Sequence, residues 1–206
     1  TNLGQFRQID VMREQTPKFV IGAHFSHNTG MSSRRGRGSG DIIYLNANNE
    51  ESLPDYVKYG VDFMLKYRGF SAIGEYIKSE ATVPDDITQR VRNDGSISDN
   101  FMVNDFQDVD SYVRGRMMLG EAYNIQTGYL FKSGFSIDAR YTHLIGDEHS
   151  FLNNATFYNR PNYYTLGVGK LMSRNYGFKI QASITYVDGS LGINNNLSEP
   201  IAGNEI

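Results

Sequence analysis

Apolar and polar residues alternate with a period of two along much of this chain, which predicts strands, because a helix would scatter the same residues around its circumference. In residues 177–187, Phe178, Ile180, Ala182, Ile184 and Tyr186 share one face, and Lys179, Gln181, Ser183 and Thr185 share the other. Residues 135–144 repeat the pattern, with Phe135, Ile137, Ala139 and Tyr141 against Ser136, Asp138, Arg140 and Thr142. Residues 57–67 set Val57, Tyr59, Val61, Phe63, Leu65 and Tyr67 against Lys58, Gly60, Asp62, Met64 and Lys66. Residues 18–27, 70–80, 121–131 and 162–172 read as further strands with less contrast between their faces.

The connections between these strands alternate in length. Arg68-Gly69, Lys132-Ser133-Gly134 and Ser173-Arg174-Asn175 carry hairpin-turn chemistry, whereas residues 28–55, 81–120 and 145–161 and the tail after Asp188 are long and polar. Tight turns at one end and long loops at the other are the habit of transmembrane barrels, with the turns periplasmic and the loops extracellular. Aromatic residues sit where such a barrel meets the two membrane surfaces. Tyr67, Phe70, Phe131, Phe135, Tyr176 and Phe178 flank the turns, and Tyr76, Tyr141 and Tyr186 lie near the opposite strand ends. The competing explanation is that aromatic residues simply favour strands. The expected fold is all-β: an antiparallel up-and-down transmembrane β-barrel.

Composition narrows the choice by exclusion. With no cysteine, the chain carries no disulfide framework, thiolate-held metal or thiol nucleophile. A net charge of −3 leaves no footprint for nucleic acid. No apolar run approaches the roughly 20 residues of a membrane-spanning helix, but a barrel strand needs only about ten, with every second one apolar. The chain opens at Thr1 without a signal peptide and stops in polar Asn204, Glu205 and Ile206. Residues 1–206 are therefore expected to be one barrel domain, incomplete at both ends.

The hairpins resemble those of the phosphate-selective porin O/P family, in its Bacteroidetes-type members. The stretches that carry the resemblance are YGVDFMLKYRGFSAIGEYIKSE from Tyr59 to Glu80, GYLFKSGFSIDARYTHL from Gly128 to Leu144, and YYTLGVGKLMSRNYGFKIQASITYV from Tyr163 to Val187. The opening Gly4-Gln5-Phe6 and residues 17–28 are similar to a mid-barrel stretch of the same family. The resemblance implies a barrel of about sixteen strands, of which about seven are legible here. It also implies a homo-trimer in the bacterial outer membrane and a porin for passive diffusion of small hydrophilic solutes. Members selective for phosphate line the lumen with ladders of Arg and Lys. Here Lys58, Lys66, Arg140 and Lys179 alternate onto the polar face together with Asp62, Glu75 and Asp138. The expected preference is for anionic or neutral solutes, and weak.

Arg140 has two readings. Its guanidinium either raises the local anion concentration or pairs with carboxylates such as Asp138 to prop the wall. Arg34, Arg35 and Arg37, in the first long connection, either funnel anions at the mouth, fold inward as a constriction, or are ordinary solvated loop. Asp85, Asp86, Asp94, Asp99, Asp105, Asp108 and Asp110 have no EF-hand spacing and read as a solvated acidic loop. His24, His27, His143 and His149 have no zinc-ligand spacing, and no nucleophile elbow or phosphate-binding glycine loop is present. No metal, cofactor or catalytic activity is expected. Besides a porin, two functions stay open: a non-conducting barrel that docks partners in an outer-membrane complex through residues 81–120, and a soluble ligand-binding barrel with its apolar face inward.

Overall fold

The computed structural model describes residues 8–31, 41–92, 94–150, 161–173, 177–188, 192–194 and 199–201. Its main body is one seven-stranded antiparallel sheet built from β1 (Lys18–Asn28), β3 (Asp55–Tyr67), β4 (Phe70–Thr82), β9 (Gly120–Leu130), β10 (Phe135–Gly146), β11 (Asn162–Leu171) and β12 (Lys179–Asp188). These strands neighbour one another in chain order, an up-and-down meander. β1, β4, β10 and β12 run one way, and β3, β9 and β11 run the other. All seven coincide with the alternating segments of the sequence, to within about two residues at their ends.

The tight turns form as their chemistry requires. Arg68 and Gly69 both take positive φ, 50° and 95°, the two-residue hairpin geometry that matches strand twist. Gly134 (φ 81°) closes the next hairpin, its amide donating to the Phe131 carbonyl at 2.9 Å. Arg174 and Asn175 of the third turn lie outside the described residues. The strand ends that these turns join lie at one end of the sheet, and the strand ends that the long connections join lie at the other.

Those connections fold against one another, while Asp85, Asp86, Asp94, Asp99, Asp105 and Asp110 on them stay exposed, as a solvated acidic stretch should. β2 (Asp41–Asn46) of the first connection pairs with β5 (Ile87–Arg92) of the second, and β5 pairs with β6 (Ile97–Ser98). A two-residue hairpin follows, β7 (Met102–Val103) to β8 (Phe106–Gln107), then the six-residue helix α1 (Val109–Arg114). Tyr44, Ala81, Ile87, Phe101, Tyr112, Val113, Met117 and Leu119 form one buried cluster. The third connection joins through Ser150, whose hydroxyl donates to the Met117 carbonyl and accepts the Leu119 amide. The long connections thus make a single folded cap with a hydrophobic core. Tyr56 and Ser79 each donate a hydroxyl to the Met118 carbonyl and so seat the cap on the sheet. A further pair, β13 (Gly192–Asn194) and β14 (Glu199–Ile201), follows β12.

Candidate functional site: the polar face of the sheet

Strand register decides which residues share a face, because directly paired residues point to the same side. Phe19, Leu65, Ala72, Thr127, Ala139, Leu166 and Ile184 form one unbroken row across all seven strands. This apolar face is uncovered, with Ile21 71% and Leu166 63% exposed. The sheet therefore buries no core of its own on that side.

Two aromatic rows bound the face. At the end with the long connections, Phe25, Tyr59, Tyr76, Tyr123, Tyr141, Tyr164 and Tyr186 succeed one another from β1 to β12. Their rings pack in sequence, Tyr141 on Tyr164 at 5.0 Å and Tyr164 on Tyr186 at 6.3 Å. At the end with the tight turns, Phe19, Tyr67, Phe70, Tyr129, Phe135 and Phe178 make the second row, with Phe131 packed between Tyr129 and Phe135. Between the rows the side chains are apolar except Thr127 and Gly74, and the charge nearest the band is Lys170, which takes the place of an aromatic on β11 at the level of Phe135 and donates its ammonium to the Ser133 carbonyl at 2.7 Å. Along a strand the rows stand six to eight residues apart, roughly 20–26 Å.

The rows do not follow the hydrogen-bond register. Tyr76 pairs with Tyr123, but Tyr123 pairs with His143, two residues beyond Tyr141. Likewise Tyr129 pairs with Ile137, two residues beyond Phe135. Both rows step the same way, by four to six residues over six strand intervals, an inclination of about 25–35°.

The opposite face collects the charged residues expected to face a lumen. Lys58, Lys66, Arg140, Lys179 and Asp138 all fall on it, with Asp62 and Glu75 paired directly across β3 and β4. Their surroundings differ. Arg140 is exposed between Gln126 and Thr165 and makes no hydrogen bond or ion pair among the described residues, Asp138 included. The Lys179 ammonium donates to Gln181 Oε1 at 2.6 Å. Asp138 lies flat between two glycines: a Cβ on Gly167 would meet its Oδ1 at 2.6 Å, and one on Gly128 would meet its Cβ at 3.2 Å. Those glycines make room for the carboxylate beside the wall.

Lys66 faces the same side but is only 2% exposed. Residues 8–16, which carried no strand signal, cross the tight-turn end and cover it, bringing the charges of Asp10 and Glu14 to bear on its ammonium. Residues of β4 and β12, four strands apart, line one cavity of about 50 Å³ together with Gln8 and Ile9. The sheet therefore curls around its polar face. The folded cap and this segment occupy the two ends of that face, and a middle belt with His24, Asp62, Glu75, Arg140 and Gln181 is exposed.

Arg34, Arg35 and Arg37 lie outside the described residues. Among the described residues, no group of three or more His, Cys, Asp or Glu is placed to hold a metal ion. No helix among the described residues is long and apolar enough to cross a membrane, which says nothing of a crossing by strands. No family model, curated protein or solved structure matches the chain.

Proposed function

We propose that this chain forms the wall of an outer-membrane β-barrel porin that lets small hydrophilic solutes diffuse through a polar lumen. The inclination of the two aromatic rows carries the reading. A membrane band is level, and barrel strands cross it tilted by roughly 35–45°. Residues that meet the membrane surface must then drift along the register from strand to strand. Aromatic residues placed only by strand preference have no reason to drift, still less in two rows in parallel. The uncharged surface between the rows supplies the lipid-facing band, and the alternate residues supply the wet lumen.

Selectivity follows from the polar face. Lys18, Lys58, Lys66, Arg140 and Lys179 outnumber Asp62, Glu75 and Asp138, but Lys66 is covered and the signs are interspersed. With a Debye length near 8 Å at physiological salt, each charge acts locally. The pore is a weakly anion-preferring porin without a tight phosphate site, has no catalytic role, and assembles as a trimer in the manner of the family it resembles. Reversal potentials under a KCl gradient test this. Arg140→Gln with Lys179→Gln is expected to move the potential toward cation preference. An unmoved potential means that these side chains do not line the path, and a sub-micromolar phosphate block means that the site is tighter than proposed.

The folded cap favours a second reading, a barrel that presents a rigid platform to a partner. Ile97, Met102 and Phe106 stand exposed on it. Absence of current from well-folded protein in bilayers would favour this reading.

A further inference from the structure

We infer that residues 8–16 form an inward strap, latched across the tight-turn end of the polar face, that narrows the conduction path beside Asp138 and Lys179. The inference rests on the pore reading above and adds a releasable constriction to it.

The latch is built from two side chains. Asp10 is 1% exposed, and its carboxylate accepts the amides of Gly69 at 2.7 Å and Glu14 at 3.1 Å. It thus ties the segment to the β3–β4 turn. Arg13 ties it to the next turn as well. Its guanidinium donates to the carbonyls of Arg68, at 2.8 Å, and of Leu130, and to the Tyr129 hydroxyl at 3.3 Å. The Arg68 amide returns a bond to the Glu14 carbonyl at 2.9 Å. Arg13 holds φ at 49°, a left-handed conformation that an arginine adopts only where its surroundings compensate. A segment merely resting on the sheet would relax it.

Ahead of the latch, the chain turns onto the polar face. Gln8 and Ile9 close one side of the 50 Å³ cavity, and Ser71, Gln126, Asp138 and Lys179 are among the residues of the other. That volume holds one or a few waters and no larger solute. Burial marks how far the strap reaches. Lys66 and Ser71, paired across β3 and β4 beneath it, are buried, whereas Asp62 and Glu75, four residues along each strand, are exposed. None of the latch bonds belongs to the ladder between strands of the sheet. The strap can therefore be released without unpairing a strand.

The chain has no cysteine, so introduced thiols test the strap on a clean background. Gln8→Cys with Ser71→Cys, joined by a reductant-cleavable bismaleimide in the folded full chain, holds the strap in place. Asp10→Ala with Arg13→Ala releases it. Crosslinking is expected at high yield, with low conductance while the link is intact and recovery of the uncrosslinked level on reduction. The released variant should conduct about twofold or more above wild type, as expected when a narrow element of a pore is removed. Failure to crosslink, or equal conductance in linked, reduced and released forms, overturns the strap while leaving the pore standing. Crosslinking with no current in any form overturns both together.

Discussion

At the scale of single residues, neighbours along one strand face opposite sides of the sheet, which the pore reading assigns to lipid and to water. Ile184 stands on the uncovered apolar face, between Tyr186 and Ile180, while the Thr185 hydroxyl meets that of Thr165 at 2.9 Å on the polar side. Ile184→Arg should therefore destabilise assembly by about 2–4 kcal/mol near the bilayer midplane. Thr185→Arg, one position away, should fold and insert normally. Urea unfolding in lipid vesicles measures both, and equal costs would mean that the two faces are assigned the wrong way round. Arg140 also belongs at this scale. The sequence left it either free to meet anions or paired with a wall carboxylate. The structure leaves it unpaired beside an Asp138 that lies against Gly167, so its charge faces the open belt.

At the scale of elements, helix α1 ties the cap to its acidic segment. Asp108 is its N-cap, and bonds from the Ser111 hydroxyl and then the Ser111 amide hold its carboxyl below the usual carboxylate range. Ser96 does the same for Asp94, again hydroxyl first and amide second. A depressed carboxyl contributes stability that is fully present above its unfolded value and is lost as the pH falls through its folded one. The cap should thus loosen in acid before the strands do, and Asp108→Ala should cost it about 1 kcal/mol at neutral pH. Amide exchange across residues 109–119 as a function of pH reads this directly. Protection that is unchanged by acid and by the substitution would remove Asp108 from the cap's support.

The strands were legible because alternation runs through ten or more residues of each, sharply in β3, β10 and β12 and with less contrast in the other four. The cap was not. Its core draws Tyr44 from one connection and Ile87, Phe101, Tyr112 and Leu119 from another, at spacings that follow neither period. The one local signal was Asp108 three residues ahead of Ser111, a helix start hidden among other acidic residues. The strap gave less still, since Asp10 and Arg13 act on turns more than fifty residues away in sequence. On the polar face, the set of charged residues was legible from alternation alone; that Lys66 is covered was not.

At the scale of the whole molecule, the uncovered apolar face is the dominant physical fact. An apolar face open across seven strands is rare on soluble proteins and marks a surface made for lipid or for a partner layer, and the pore reading assigns it to lipid. The protein should partition into membranes, require detergent once extracted, and give a β-dominated circular-dichroism spectrum in it. A monodisperse, folded preparation in plain buffer would be incompatible with a lipid-facing surface.

The odd number of strands in the meander has a consequence for how any barrel closes on it. β1 and β12, the two edges of the sheet among the described residues, point in the same direction. Joined to each other they would make a parallel seam in an otherwise antiparallel wall. Two or more copies inserted in the same sense would meet with the same mismatch at every junction, so copies of this sheet alone do not tile a ring. A barrel kept antiparallel throughout would therefore need an odd number of further strands, the first and last running opposite to β1 and β12.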